Sequence, residues 1–193
     1  MYICKSIFRI SSVVEQLTVN QLVGGSNPPC GAIPIIMSKV LIISDLHFGH
    51  ETLAISRGFK NAQEQDELII NNWNRVVNKR DTIWILGDIT METNKHYYLL
   101  DELYGRKKVI LGNHDLPKHV PDLLKHVEQV GGAVKYKGNI LTHIPINTHE
   151  IDRFRRNIHG HLHEEIIEHN KYINVCCEQL DYTPVEFDKL FIS

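Results

Sequence analysis

Short apolar runs separated by helix-forming stretches make up the first half of the chain after residue 36. The runs are rich in Val, Ile and Leu and are bounded by polar residues, which is typical of buried strands. They occupy residues 40–43, 82–86 and 108–111. Apolar positions at helical spacing predict helices between them, over about 61–78, 95–104 and 122–129. The first of these helices begins with Asn61, a residue type that caps helices well. The pattern therefore predicts a βαβαβ arrangement with parallel strands.

The pattern changes after residue 132, where short strand-like runs follow one another without a clear helix between them. These runs are residues 133–136, 140–143, 157–161 and 172–176. Thr183-Pro184-Val185-Glu186 has the form of a capping box with Pro at the first helical position, so a short C-terminal helix is predicted. Together the two halves predict a layered α/β domain.

Residue types that bind metals follow directly after five of the predicted strands. The segments are Asp45-x-His47, Gly87-Asp88, Gly112-Asn113-His114-Asp115, Thr142-His143 and Gly160-His161-Leu162-His163. The carboxyl ends of parallel strands converge on one crevice in such folds, so these side chains are expected to lie close together. Carboxylate, amide and imidazole groups suit Mn, Fe, Zn or Ni, and no cysteine occurs in these segments. The sequence therefore predicts a metal site at the strand ends.

Composition and charge restrict the possible partners only weakly. The chain has 193 residues, of which 42% are hydrophobic and 23% charged, and its formal net charge is −2. This charge provides no global field for holding nucleic acid or an anionic membrane. A nucleotide or another phosphate ester remains compatible with it, because bound metal ions supply local positive charge.

The cysteine pattern indicates a reducing compartment, and the short apolar runs do not predict a membrane span. Four cysteines are present, and the adjacent Cys176 and Cys177 would point to opposite faces of a strand and are poorly placed to bridge each other. No disulfide framework is visible, which favours a cytoplasmic location. No apolar run approaches the roughly 20 residues of a membrane span. Both cysteines are expected to be core residues.

Residues 1–36 do not share the patterning of the rest of the chain. Residues 24–29 form a turn-rich cluster of Gly, Ser, Asn and Pro with no strand or helix pattern around it. These residues can be encoded by a transfer-RNA T-arm, and residues 11–16 by a D-arm. We therefore expect residues 1–36 to be an unstructured or spurious extension that resembles a translated tRNA gene. The domain is then expected to span residues 37–193, with Met37 as the true start.

The segments at the strand ends, with Asn72-Trp73-Asn74, Asn174-Val175 and Thr183-Pro184, resemble the calcineurin-like metallophosphoesterases over about residues 38–188. The likeness is strongest to the small members without a cap domain that occur in bacteria and phages. It implies a four-layer αββα sandwich of two mixed β-sheets flanked by helices, with the metal site at the carboxyl ends of the strands. It also implies an enzyme that hydrolyses phosphodiester or phosphomonoester bonds with a hydroxide bridging two divalent ions. Manganese is the first expectation for these ions, with Fe, Ni or Zn as alternatives.

The same resemblance implies a role for each residue. Asp45, His47 and His163 would hold the first ion, Asn113, His143 and His161 the second, and Asp88 would bridge the two. His114 would face the phosphate as a catalytic residue and Asp115 would orient it. The chain departs from many family members at Thr90, where an acidic residue is common.

Other readings and residues remain open at this point. A non-catalytic metal-binding scaffold of the same fold is the main alternative to the enzyme. A zinc hydrolase of the metallo-β-lactamase type is excluded, because the chain has no His-x-His-x-Asp-His run. His50 is a candidate for a substrate contact and equally for a plain loop residue, and Arg57 is a candidate for binding an anionic substrate. The cluster Arg153-Arg155-Arg156 is better explained as a solvated loop, and His159 as a structural residue.

Overall fold

Residues 37–191 are the part of the chain that the computed structural model describes. The expectation of a tRNA-like extension over residues 1–36 lies outside them. The nine strands formed within this part are β1 (Val40–Ile43), β2 (Thr82–Ile85), β3 (Arg106–Ile110), β4 (Gln129–Gly131), β5 (Ala133–Tyr136), β6 (Asn139–Thr142), β7 (Asn157–His159), β8 (Tyr172–Asn174) and β9 (Val185–Glu186). The α-helices there are α1 (Glu51–Ser56), α2 (Ala62–Val76) and α3 (Val120–Leu123), and the 3₁₀ segments are Tyr97–Glu102, Pro117–His119, Ile151–Arg153, Cys177–Leu180 and Phe187–Phe191.

The strands between residues 37 and 191 form two mixed sheets. The first has five strands in the order β4-β3-β2-β1-β9, with β1 to β4 parallel and β9 antiparallel to β1. The second has four strands in the order β5-β6-β7-β8, parallel except for the β5–β6 pair. The predicted α/β class with two mixed sheets and helices is confirmed.

Successive side chains of the first sheet point to opposite faces and join two separate cores. On one face Ile43 and Ile85 pack in a buried cluster with Trp73 of α2. On the other face Ile42 and Ile110 pack with residues of the second sheet and with Phe187. Both faces of the parallel sheet are therefore covered, as its continuous apolar strands require.

The helix predicted over 122–129 is wrong beyond Leu123, where turns follow, and β4 begins at Gln129. Val120–Leu123 is helical, but Gln129–Gly131 pairs with β3 in parallel register from Lys108↔Gln129 onward. The main-chain N–H of Glu128 also donates to the carbonyl of Lys107 at 2.9 Å. Pairing with an existing strand edge outweighs the local helical pattern.

The predicted C-terminal helix is also replaced at its start by a strand. Val185 and Glu186 pair antiparallel with Ile42 and Leu41, and the 3₁₀ segment begins only at Phe187. Helix α1 was not predicted, and its N-cap is His50, whose Nδ1 accepts from the N–H of Leu53 at 2.9 Å. None of the helices between residues 37 and 191 combines the length and apolar composition that crossing a membrane requires.

Candidate metal centre

The loops that follow β1 and β2 run side by side and bring their polar residues to one place. The N–H of Asp45 donates to the carbonyl of Gly87 at 3.1 Å, and that of His47 donates to the carbonyl of Asp88 at 3.0 Å. The loop after β6 meets the loop after β7 in the same way, through Gly160 N–H and the His143 carbonyl at 2.9 Å. The predicted convergence of the strand ends is therefore present.

Two groups of side chains within residues 37–191 have the composition and spacing of metal sites. Asp45, His47 and His163 form the first group, and their ligand atoms lie within 4.8 Å of one another. In this group Asp45 Oδ1 lies 3.7 Å from His47 Nε2 and 3.8 Å from His163 Nε2.

Asp88, His143 and His161 form the second group, with the same 4.8 Å limit between their ligand atoms. Asn113 joins this group, because its Oδ1 lies 2.9 Å from His143 Nε2. All seven side chains predicted as metal ligands are thus brought together.

One oxygen of Asp88 lies between the two groups. Oδ2 is 3.3 Å from His143 Nε2 and 3.8 Å from His47 Nε2. The other oxygen, Oδ1, accepts from the N–H of His114 at 2.9 Å, which fixes the orientation of the carboxylate. This geometry suits a carboxylate that is shared by two metal ions.

Most of these residues have backbones in the left-handed region, which non-glycine residues rarely adopt. The φ angles are 59° for Asp45, 48° for His47, 51° for Asp88, 72° for His161 and 50° for His163. Such conformations cost free energy and persist where the surrounding structure enforces them, as at functional sites. The strain is concentrated in the residues that carry the candidate ligands.

Two glycines allow the loops to approach this closely. A Cβ on Gly160 would collide with Ser44 Oγ and Asp45 Oδ2, and a Cβ on Gly112 would collide with Asp88 Oδ1. The second sheet therefore reaches Asp45, and the loop after β3 reaches Asp88, only because side chains are missing at these positions.

Unsatisfied buried atoms show that the residues fit a bound cation. Asp45 Oδ2 accepts from Ser44 Oγ at 2.5 Å, from His161 N–H at 2.9 Å and from Cys176 Sγ at 3.1 Å. By contrast, Asp45 Oδ1 and both ring nitrogens of His47 are buried without a hydrogen-bond partner in the described chain. Buried polar atoms are rarely left in this way unless something else binds them.

Metal binding needs ionised ligand carboxylates and neutral ligand imidazoles, and the pKa shifts of Asp45, His47 and His161 suit it, whereas contacts with Asp88 and Glu178 raise the pKa values of His143, despite its burial, and of His163. Burial opposes the charge of Asp45, but contact with His47 and the charge of His143 outweigh it and lower the pKa of the carboxyl group. Burial lowers the pKa of the His47 and His161 rings, which favours their neutral forms.

His114 lies at the edge of the site, and the carboxylate of its neighbour Asp115 makes other contacts. Asp115 Oδ2 accepts from the N–H groups of Asp88 at 2.8 Å and Gly112 at 2.9 Å, so its carboxylate supports the loop that carries Asp88. The expectation that Asp115 orients the ring of His114 is corrected by these contacts. Glu92 Oε1 instead lies 3.5 Å from His114 Nδ1, in the segment where Thr90 stands in place of the family's acidic residue.

Sequence analysis did not identify Glu178, whose carboxylate contacts the candidate ligand His163 at the ring nitrogen that does not face Asp45. Glu178 Oε1 lies 2.7 Å from His163 Nδ1 and 2.7 Å from Arg57 Nη2. Burial opposes the charge of Glu178, but the hydrogen bond from His163 and the charge of Arg57 lower the pKa of its carboxyl group. Its position after β8, among other strand-end carboxylates, was the one available signal.

The remaining basic candidates lie elsewhere or are already paired. The Arg57 side chain is 2% exposed, and its guanidinium also donates to the carbonyl of Asp45 at 2.9 Å. The Arg153-Arg155-Arg156 cluster precedes the amino end of β7, at the opposite end of that strand from His161. Cys176 and Cys177 are buried and free, as predicted, although they follow β8 instead of lying within it. His159 is fully buried, in agreement with a structural role.

Comparison with known proteins identifies relatives of this chain. The sequence model of the calcineurin-like phosphoesterase family matches residues 38–189. An uncharacterized protein of Methanocaldococcus jannaschii is 32% identical over 166 residues, which cover 79% of this chain and 89% of that protein. The gene 66 protein of Mycobacterium phage L5 is 31% identical over 166 residues, covering 68% of this chain and 80% of that protein.

A solved structure has a similar fold. The crystal structure of a protein of unknown function from Aquifex aeolicus aligns with a TM-score of 0.62 and 25% sequence identity. The alignment covers 80% of this chain and 98% of that one.

Proposed function

Because the chain belongs to the calcineurin-like phosphoesterase family, we propose that it is a dinuclear metal-dependent enzyme that hydrolyses phosphodiester or phosphomonoester bonds. One observation carries the proposal: the Asp88 carboxylate has an oxygen within 3.8 Å of His47 in the first group and 3.3 Å of His143 in the second. A single carboxylate shared by two Asp/His groups is the arrangement that two neighbouring ions need.

We assign the ligands by these two groups. Asp45, His47 and His163 would hold the first ion and Asn113, His143 and His161 the second, with Asp88 shared. Manganese is our first assignment for these ions, as the family resemblance implies, and the oxygen and nitrogen donors also suit Fe, Ni or Zn. When bound, two such ions polarise a phosphate between them and lower the pKa of a water molecule.

The chain's own side chains then position and protonate the ester. His114 is partly exposed, and its ring centroid lies 5.8 Å from that of His47. It would donate a hydrogen bond to a phosphate oxygen or a proton to the departing oxygen. Asp115 would act by holding the N–H groups of Asp88 and Gly112, so its contribution is to positioning.

The test is metal content together with ester hydrolysis. Chelator-treated protein would be reloaded in turn with Mn, Ni, Zn and Mg, its bound metal measured, and its turnover of p-nitrophenyl phosphate and bis(p-nitrophenyl) phosphate followed. We expect two ions per chain and metal-dependent release of p-nitrophenol. Asp188→Ala, which changes an exposed carboxylate, is treated in the same way as a control and should match the wild type. Full metal loading without turnover of either ester would favour the non-catalytic scaffold instead.

A further inference from the structure

The backbone of His50 is fixed to the loop that carries the candidate ligand His47. Its N–H donates to the carbonyl of His47 at 3.2 Å, which closes a tight turn. Its carbonyl accepts from the N–H of Ala54 at 3.0 Å, at the start of α1. Within the turn, the N–H of Gly49 donates to both carboxylate oxygens of the buried Asp66, at 3.0 and 3.2 Å. The position of His50 relative to His47 is therefore set from both sides.

The ring of His50 is held in one tautomer by the helix that follows it. Its Nδ1 accepts from the N–H of Leu53 at 2.9 Å, as the N-cap of α1. A main-chain N–H can only donate, so Nδ1 carries no proton and the proton of the neutral ring is on Nε2. Burial first, and then repulsion from His114 and Arg57, lowers the pKa of His50, which also favours the neutral ring. Nε2 is thus a hydrogen-bond donor in a fixed ring.

This donor is free and lies beside the candidate metal centre. Nε2 of His50 has no hydrogen-bond partner within residues 37–191, and it is not sealed from solvent. The ring centroid of His50 lies 6.1 Å from that of His47, and the centroid of His114 lies 5.8 Å from the same ring. His47 Nε2 in turn lies 3.8 Å from Asp88 Oδ2. Two imidazoles without an assigned ion, those of His50 and His114, therefore neighbour a ring of the candidate centre.

Neither metal binding nor helix capping explains the imidazole at this position. The two groups of candidate ligands do not include His50, and its Nδ1 is already engaged. Ser, Thr, Asp and Asn are the preferred N-caps, so capping by itself does not call for an imidazole ring. The unexplained feature of His50 is its free Nε2–H.

We propose that His50 is a substrate-binding residue, whose Nε2–H donates a hydrogen bond to an oxygen of the phosphate group. This inference rests on the proposed phosphoesterase function and adds a binding residue to it. The ring keeps its proton, because Nδ1 could accept one in exchange only by breaking the helix cap. His50 therefore differs from His114, to which proton donation is assigned. A donor that binds the ground state and the transition state alike lowers KM and leaves kcat unchanged.

Replacing the ring by another N-cap separates the two contacts of His50. In His50→Ser the hydroxyl oxygen can accept from the N–H of Leu53, so the helix keeps a preferred cap while the Nε2 donor is lost. His50→Ala loses both the cap and the donor. His149→Ser removes an exposed histidine that belongs to neither group of candidate ligands, and it is the matched control.

The measurements are the dissociation constant of inorganic phosphate, by calorimetry on the manganese-loaded full chain, and kcat and KM on bis(p-nitrophenyl) phosphate. His50→Ser should keep the metal content and melting temperature of the wild type. It should bind phosphate about tenfold more weakly or worse, as expected for the loss of a hydrogen bond to a charged group, and raise KM by a similar factor at unchanged kcat. His50→Ala should lose the same affinity and also melt at a lower temperature, and His149→Ser should match the wild type.

Three results would overturn the inference while leaving the phosphoesterase function intact. They are a loss of affinity confined to His50→Ala, a fall in kcat at unchanged KM in His50→Ser, and a loss of metal from His50→Ser. Absence of turnover on every ester by the wild type would instead remove the proposed function, and the phosphate affinities would still decide whether His50 contacts the anion. A metal-loaded wild type that binds no phosphate would overturn both.

Discussion

Glu178 Oε1 lies 2.7 Å from His163 Nδ1, while Nε2 of the same ring lies 3.8 Å from Asp45 Oδ1. The hydrogen bond to Glu178 raises the pKa of His163 and engages its Nδ1, which leaves Nε2 directed at the candidate metal position. Arg57 holds Glu178 in turn, so the orientation of a candidate ligand depends on an ion pair behind it.

Glu178→Gln is expected to weaken metal binding by about 10–100-fold, the usual effect of losing a partner that orients a metal ligand. The amide is nearly isosteric but removes the charge that pairs with the buried Arg57, so the metal-free protein should also melt at a lower temperature than the wild type. Metal affinity by competition with a chelator is the measurement, and Glu168→Gln at an exposed position is the control. Unchanged affinity in Glu178→Gln would show that His163 does not depend on this contact.

Asp88→Ala and His114→Ala should both lose activity, but for different reasons. Asp88 faces both groups, so its removal should reduce metal content first and activity as a consequence. His114→Ala should keep its metals but lose about 10²–10⁴ in kcat, the range for one acid–base or charge-stabilising group. The loss should be larger for esters with poor leaving groups, because p-nitrophenolate departs without a proton.

Metal analysis beside kcat on both ester types distinguishes these outcomes. Loss of metal from His114→Ala would mean that His114 is itself a ligand. Retention of both metal and full rate on every ester would remove its catalytic role.

Gly160→Ala should disturb the site through a collision with Ser44 and Asp45. Overpacking of this kind costs about 1–3 kcal/mol in the free energy of unfolding, and here it would also displace a candidate ligand. Urea denaturation and metal content are the measurements. Gly131→Ala, where the added methyl group meets open space, should behave as the wild type; equal behaviour of the two variants would contradict the close approach.

Asp66 should make stability depend on pH. Burial raises the pKa of its carboxyl group from 3.8 to about 6, although both oxygens accept from the N–H of Gly49. A folded-state pKa above the unfolded value means that the stabilising contribution is present at low pH and is lost as the pH rises through about 6. Asp66→Asn removes this loss. The free energy of unfolding of the variant, relative to that of the wild type, should therefore rise by up to about 3 kcal/mol between pH 3.8 and about 6.

Unfolding free energies of the metal-free wild type and Asp66→Asn at several pH values from below 3.8 to above 6 test this. The difference between the two proteins isolates Asp66 from the histidines of the site. A difference that stays constant with pH would show that Asp66 is not perturbed in the folded protein.

A chain that begins at Met37 is expected to fold and to retain metal content and activity. The family match spans residues 38–189, and every candidate ligand lies within that range. Circular dichroism, metal analysis and ester hydrolysis of the shortened chain, beside the full one, are the measurements. Loss of solubility or activity in the shortened chain would show that residues 1–36 contribute to the domain.

Local chemistry explains why the strands and candidate ligands could be predicted from sequence. A fully buried parallel strand is a short continuous apolar run, and β1, β2 and the end of β3 at Val109 and Ile110 have this form. Each ligand segment follows its own strand directly, so its position needs no knowledge of distant residues. Helix α2, with its Asn61 cap accepting from Glu64 N–H at 2.8 Å, was predictable for the same reason.

Pairing between distant segments decided what the local pattern could not. Residues 129–131 and 185–186 became strands because β3 and β1 offered open edges to pair with. A local pattern describes a segment's own preference and carries no information about which edge will lie beside it.

The sequence by itself determined the fold class, the family resemblance and the seven candidate ligands, because these depend on residue types adjacent to apolar strands. Only the tertiary structure decided the supporting contacts. Arg57 reaches Glu178 across 121 positions of sequence, and Asp115 turns towards backbone N–H groups instead of the neighbouring ring of His114. These contacts depend on the direction of each side chain after the two sheets have packed, which residue order does not specify.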